Sequence, residues 1–278
     1  MISQLRLRPE EIETIHVTEY DTHKYNGDDT KTFYNGWSPR GLHDETTDRA
    51  EWSIGKTTVQ QDELAVDRIG HSAVAIDHEG RQLLLTSLTP ICQPDGSLRM
   101  CPYTGFVVSH GETESIGHHL GGHPFVSFVY RIAPCVCQRL LQLPKEVDAT
   151  IPYKTLHGHL SDGGGDTIGI LLVSRSRQQA WWAGSICSNQ CAMQTVSPLQ
   201  NGCTITTAAG ILAGMQYALQ HPCLGHVSPE EIDSEFVLKQ CLPFLGFFTM
   251  LEVPWDLVQT HLTNQIQILG DSVLPANY

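Results

Sequence analysis

Basic residues are scarce in this chain: 17 lysines and arginines stand against 30 aspartates and glutamates in 278 residues, a formal net charge of −13. Holding a phosphate backbone takes clustered cations, and no such run occurs, so nucleic acid is excluded as a natural partner. Long apolar runs are missing too. No stretch approaches the roughly 20 residues of a membrane span. Arg6, Arg8, Glu10 and Glu11 interrupt the N-terminus where a signal peptide would be apolar. The expectation is a cytoplasmic protein with no membrane partner.

Metal and nucleotide motifs are equally sparse. The nine cysteines form no C-x-x-C pair and no secreted framework, which fits reduced thiols. His118, His119, His123, Cys135 and Cys137 are close in sequence, and His157 and His159 flank Gly158. Adjacent histidines diverge on a strand or helix, however, and no H-E-x-x-H occurs, so no metal is expected. A G-x-G-x-x-G turn after a strand is absent as well. Gly163 to Gly165 is the one dense glycine run, and its polar neighbours read as a loop.

What is present is ordinary globular material, 41% hydrophobic and 17% charged, in a chain long enough for a full core. Residues 9 to 19 alternate as a half-buried strand, with Glu19 and Asp21 sharing one face at its exit. Two carboxylates set that way can hold an ammonium by charge-assisted hydrogen bonds. Lys24 to Lys56 is polar and turn-rich, a long loop or two short strands carrying Trp37 and Trp52, whose ring faces can attract a cation or simply anchor the loop.

Two strand-like runs follow, 64 to 77 and 81 to 90, the second ended by Pro90. Pro124 to Ile132 reads as a strand buried on both faces. Asp166 opens another apolar run, Ile168 to Ser174, and Ala180 to Ile186 a further one. Thr204 to Leu219 is a helix by period, with Ile205, Ala208, Ala209, Leu212, Met215 and Leu219 on one stripe. Ser228 to Glu231 starts another helix, and Trp255 to about Leu269 a last one.

The densest chemistry lies in Gly105 to Leu120. If the apolar run Phe106 to Val108 continues extended past Ser109, His110 and Glu112 point the same way, a proton carrier beside a carboxylate. Such a pair suits general acid/base work.

These residues also resemble a family. His110, Gly111, Glu112, Ser115 and Ile116 match a segment of the homospermidine synthases, NAD-dependent enzymes that join two putrescine units. Ile12 to His23 resembles the family's strand ending in Glu-x-Asp-Thr, and Asn35 to Ser38 its Asn-x-Trp-Ser. Asp166 to Leu172 and Asn201 to Gly214 follow in the family's order, so the resemblance covers roughly residues 10 to 250. It implies an α+β fold, a mixed β-sheet packed by helices, like the second domain of homospermidine synthase and saccharopine reductase-like enzymes. Residues 1–250 would form that substrate domain and 251–278 a helical extension of it.

The resemblance implies an enzyme acting on a polyamine or other amine, with His110, Glu112 and Asp166 catalytic and Glu19, Asp21, Trp37, Trp52 and Asn201 holding substrate. A homo-oligomer is expected. The family's glycine-rich Rossmann half has no counterpart in the sequence, so the chain alone is expected to bind no cofactor, with NAD entering only through a separate Rossmann-fold partner. That leaves imine-type or redox-free acid/base chemistry, with a split enzyme subunit or a non-catalytic amine-binding module as alternatives.

Overall fold

The computed structural model describes residues 1–29, 31–47, 50–54, 57–60, 82–121, 123–140, 151–156, 163–262 and 268–269. Its middle strand is β1 (Thr14–Asp21), parallel to β7 (Phe125–Arg131) on one side and antiparallel to β9 (Gly165–Ser174) on the other. Beyond β9 lie β10 (Gln179–Ser188) and β11 (Phe247–Val253). Beyond β7 lie β6 (Leu98–Val108), β5 (Gln82–Cys92) and β12 (Ile268–Leu269). The short pair β3 (Glu51–Ile54) and β4 (Thr57–Gln60) attaches to β7 along the stretch that β6 leaves free. Together these make a mixed sheet of ten strands, with β2 (Phe33–Asn35) and β8 (Tyr153–Thr155) as a separate parallel pair.

Helices pack on this sheet, on the β2–β8 pair and on one another, as the α+β reading requires. They are α1 (Pro39–Thr47), α2 (Gly111–His119), α3 (Pro134–Leu140), α4 (Asn189–Thr195), α5 (Gly202–Gln220), α6 (Ser234–Cys241) and α7 (Trp255–His261). Apolar side chains cover both faces of the central strands. One core joins Val17, Phe106, Phe128 and Tyr130 to Phe33, Leu42 and Trp52; another joins Leu88, Leu171 and Trp182 to Val253 and Val258. Each large side chain so buried contributes about 1.5–3 kcal/mol. Trp182 avoids the cost of a buried N–H by donating to Thr18 Oγ1 at 3.0 Å.

Several local expectations change. β1 is buried along nearly its whole length, not half-buried, because it has a strand on each side and packing on both faces. The Lys24 to Lys56 stretch contains a helix, α1, opened by Ser38-Pro39. β5 runs through Pro90 to Cys92; past Leu83 it has no outer neighbour among the described residues, and at an edge a missing N–H costs little.

Helix α5 buries Ile205, Ala209, Ala213 and Tyr217, whereas Ala208, Leu212, Met215 and Leu219 of the anticipated stripe face outward. The helix is apolar nearly all round, so its period alone could not select the face that meets the sheet. Pro229–Glu231 is a single 3-10 turn, and α6 starts afresh where Asp233 caps Glu235 and Phe236. The last helix stops at His261, and Ile268–Leu269 pair as a strand with β5. Position 250 falls inside β11. The strand-like run 64–77, His157 and His159, and the tail from 270 lie outside the described residues.

Candidate active site

The site grows from strand register. Alternation puts Glu19 and Asp21 on one face of β1, and the β1–β9 ladder sets Asp166 directly opposite Asp21. The three carboxylates are 8%, 1% and 4% exposed, respectively. Desolvation disfavours their charged forms, and each repels the others. Burial first, and then the charges of Asp166, Asp21, Glu45 and Glu112, hold Glu19 well above the usual carboxylate range. Burial, with Asp21 behind it, pushes Asp166 up to about 7. Asp166 Oδ1 is buried and has no hydrogen-bond partner among the described residues.

Two features flank these carboxylates. His23, which the sequence reading passed over, is buried with its Nδ1 on Asp21 Oδ1, and its backbone N–H donates to the same oxygen at 2.7 Å. Burial opposes its charge, yet Asp21 and Asp166 together raise its pKa above the usual histidine value. The N-terminus of α5 abuts the same spot: a Cβ on Gly202 would stand 2.1 Å from the Cys187 carbonyl oxygen and 3.1 Å from the Asp166 nitrogen. Glycine is the only residue that lets the helix start there. Asn189 Oδ1 accepts from Gly202 N–H at 2.9 Å and so fixes that first turn.

The His110–Glu112 pair is real, but its backbone is not extended. His110 is the N-cap of α2 and Glu112 lies in its first turn, where acids complement the helix dipole. His110 Nδ1 lies 2.8 Å from Glu112 Oε2, and Nε2 lies 3.7 Å from Glu45 Oε1 on α1. The imidazole stacks on Phe128 with centroids 4.2 Å apart. Burial works against its charge, but Glu112 and Glu45 outweigh that and raise its pKa. Glu112 is in turn lowered, chiefly by His110.

The other expected residues divide. Trp37 is half-buried and donates through Nε1 to Tyr130 Oη at 3.1 Å; Tyr130 sits across the β1–β7 ladder from Glu19. Trp52 lies in the core beside Phe33 and Phe128, 2% exposed. Asn201 has no spare donor or acceptor. Its Oδ1 takes Thr204 N–H at 2.9 Å to cap α5, and its Nδ2 donates to the Gly36 and Leu156 carbonyls. Glu45, Tyr130, Asn189 and Cys203 were missed. Only Tyr130, an isolated phenol in an apolar strand, left a hint in the sequence.

The histidines weighed for a metal stay apart: His118, His119 and His123 are exposed. The group of three metal-type ligands that does form among the described residues is Glu19, Asp166 and Cys203, all buried, with ligand atoms within 4.8 Å of one another. The Gly163–Gly165 run leads into β9, not into a helix, and Gly164 is held against the Thr22 carbonyl, where a Cβ would stand at 2.1 Å. That run therefore forms no strand-to-helix phosphate turn.

No family model matches the chain. It is similar to homospermidine synthases from Blastochloris viridis, 24% identical over 256 residues covering 88% of this chain and 52% of the relative, and from Mesorhizobium japonicum, 24% identical over 251 residues covering 84% and 49%. The chain thus spans about half the length of these curated relatives. Its fold matches the crystal structure of the homospermidine synthase of Legionella pneumophila with a TM-score of 0.66 at 23% identity, covering 91% of this chain and 58% of that one. That protein was solved in complex with NAD. The expectation that this chain alone binds no cofactor is corrected by this finding. In sequence this chain is similar to homospermidine synthases over about half of their length, and it shares the fold of the Legionella protein.

Proposed function

We propose that this chain is the amine-handling part of a homospermidine synthase-like enzyme, taking a polyamine-type cation at Glu19, Asp21 and Asp166 and moving a proton through His110 and Glu112. The observation that carries this reading is the buried triplet of carboxylates with one imidazole, His23, against it and Asp166 Oδ1 unpartnered. Buried charge of one sign is costly unless offset. An ammonium supplies the offset, through hydrogen bonds stronger than neutral ones. Preorganised charge of this kind is the term that usually dominates catalysis.

Trp37 joins the site through its Nε1 bond to Tyr130 Oη, and we assign its ring to the same cation, a contribution of about 0.5–2 kcal/mol depending on desolvation. His110 has Nδ1 committed to Glu112, so Nε2 is the atom that takes and returns a substrate proton, with Glu112 and Glu45 holding the imidazolium. NAD belongs to this reading because the Legionella relative was solved with it, and it supplies hydride transfer when bound. The redox-free version of the chemistry is dropped for the same reason.

Thermal denaturation with added amines tests the proposal. A 1,4-diamine should stabilise the chain more than a monoamine of equal length. Asp166→Asn should lose most of that gain, since an uncharged amide cannot offset a desolvated ammonium. No shift with any amine, or an equal diamine shift in Asp166→Asn, would mean that these acids do not form an amine site.

A further inference from the structure

Carboxylates alone do not choose between an ammonium and a metal ion, but the third wall of this cluster is a thiol. Cys203 is 8% exposed and sits in the first turn of α5. Its ligand atom and one oxygen each of Glu19 and Asp166 lie within 4.8 Å of one another. Bond lengths of about 2.0–2.3 Å from oxygen and sulfur to zinc would bring such a set together with only a small side-chain adjustment. Independently of that clustering, Asp166 Oδ1 is a buried acceptor without a donor among the described residues.

We propose that Glu19, Asp166 and Cys203 form a three-ligand site for a zinc-like divalent cation, which excludes the amine from the same carboxylates. The metal arm stands on the cluster alone, and only the exclusion rests on the amine reading. A thiolate with two carboxylates selects zinc or cobalt over magnesium and calcium, which prefer all-oxygen sets. Binding leaves a fourth position for water. It transfers the Cys203 Sγ proton, and any proton on the two acids, to solvent, with no change of oxidation state.

Cobalt(II) added to the full chain reports on this directly through its thiolate-to-cobalt absorption in the near ultraviolet. The expected result is one cobalt per chain, a band lost in Cys203→Ser and kept in the double variant of the exposed thiols, Cys92→Ser/Cys223→Ser. Asp166→Asn should weaken binding by at least about tenfold, and zinc should bleach the band. A band that survives Cys203→Ser, or cobalt affinity unchanged in Asp166→Asn, overturns the site. A Cys203-dependent band that a 1,4-diamine does not displace upholds the metal site and overturns the exclusion. Diamine stabilisation with no such band defeats the metal site alone.

Discussion

Asp21 and Asp166 face each other as a cross-strand pair on β1 and β9, both buried. Like charges directly opposite are destabilising in a sheet. The arrangement persists because His23 binds Asp21 and because Asp166 holds its proton up to about pH 7.

The stability of the amine-free chain should therefore fall as pH rises from about 5 to 8. Asp166 keeps in the folded state a proton that an unfolded aspartate releases near pH 4, so across that window the native state binds more protons and loses ground as they leave. The His23 contribution has the same sign: its folded pKa is raised, so it is complete below about 6.5 and disappears as pH passes the folded value. Glu11 and Asp29, lowered to about 2, act only at more acidic pH. Urea denaturation at stepped pH measures this, and Asp166→Asn should flatten the decline. A stability that holds level or climbs across the window contradicts it.

Removing His23 should be costly in a particular way. His23→Gln leaves Asp21 buried opposite Asp166 without a countercharge, and breaking such a pair costs on the order of 3–5 kcal/mol. Adding Asp21→Asn removes the stranded charge and should restore part of the loss. A double-mutant cycle reads the coupling; strictly additive losses would show that the two side chains do not act as a pair.

His110 should separate binding from turnover. Because it is one-third exposed and stacked on Phe128, His110→Gln should fold normally and keep the diamine shift while turnover falls by about 10²–10⁴-fold. Glu112→Gln should lower the imidazole pKa, since Glu112 is the main group raising it, and move the acidic limb of the rate profile to lower pH. A profile that does not move assigns that limb to another group.

Much of this site was legible in the sequence, for reasons visible in particular residues. Glu19 and Asp21 follow from a period of two, and Asp166 from its place at the mouth of an apolar run. His110 and Glu112 were paired correctly although the backbone was read as extended, because a helix N-cap and its second residue meet as closely as alternate strand residues do. Cys203 and Asn189 were not legible: each reaches the site only because α5 starts against Cys187 and Asp166, a contact between segments distant in sequence. Trp52 shows the limit from the other side. A tryptophan in a polar stretch reads equally as a ligand face or an anchor, and here it packs in the core.

Asn201 allows a last distinction between holding substrate and holding the fold. The side chain caps α5 through Oδ1 and ties it to the Gly36 and Leu156 carbonyls through Nδ2, with 1% of the residue exposed. Asn201→Ser keeps a capping oxygen but is too short for the two ties, whereas Asn201→Ala loses both. Alanine should therefore be the less stable of the two by about 0.5–2 kcal/mol, the worth of an N-cap. Both should fall below the parent chain, because two buried acceptors lose their donor. Diamine affinity, measured by titration at a temperature where all three forms are folded, should change little, and equally in both variants, through the Gly36–Trp37 turn. A serine variant that stays as stable as the parent yet loses the diamine would instead make Asn201 a substrate ligand.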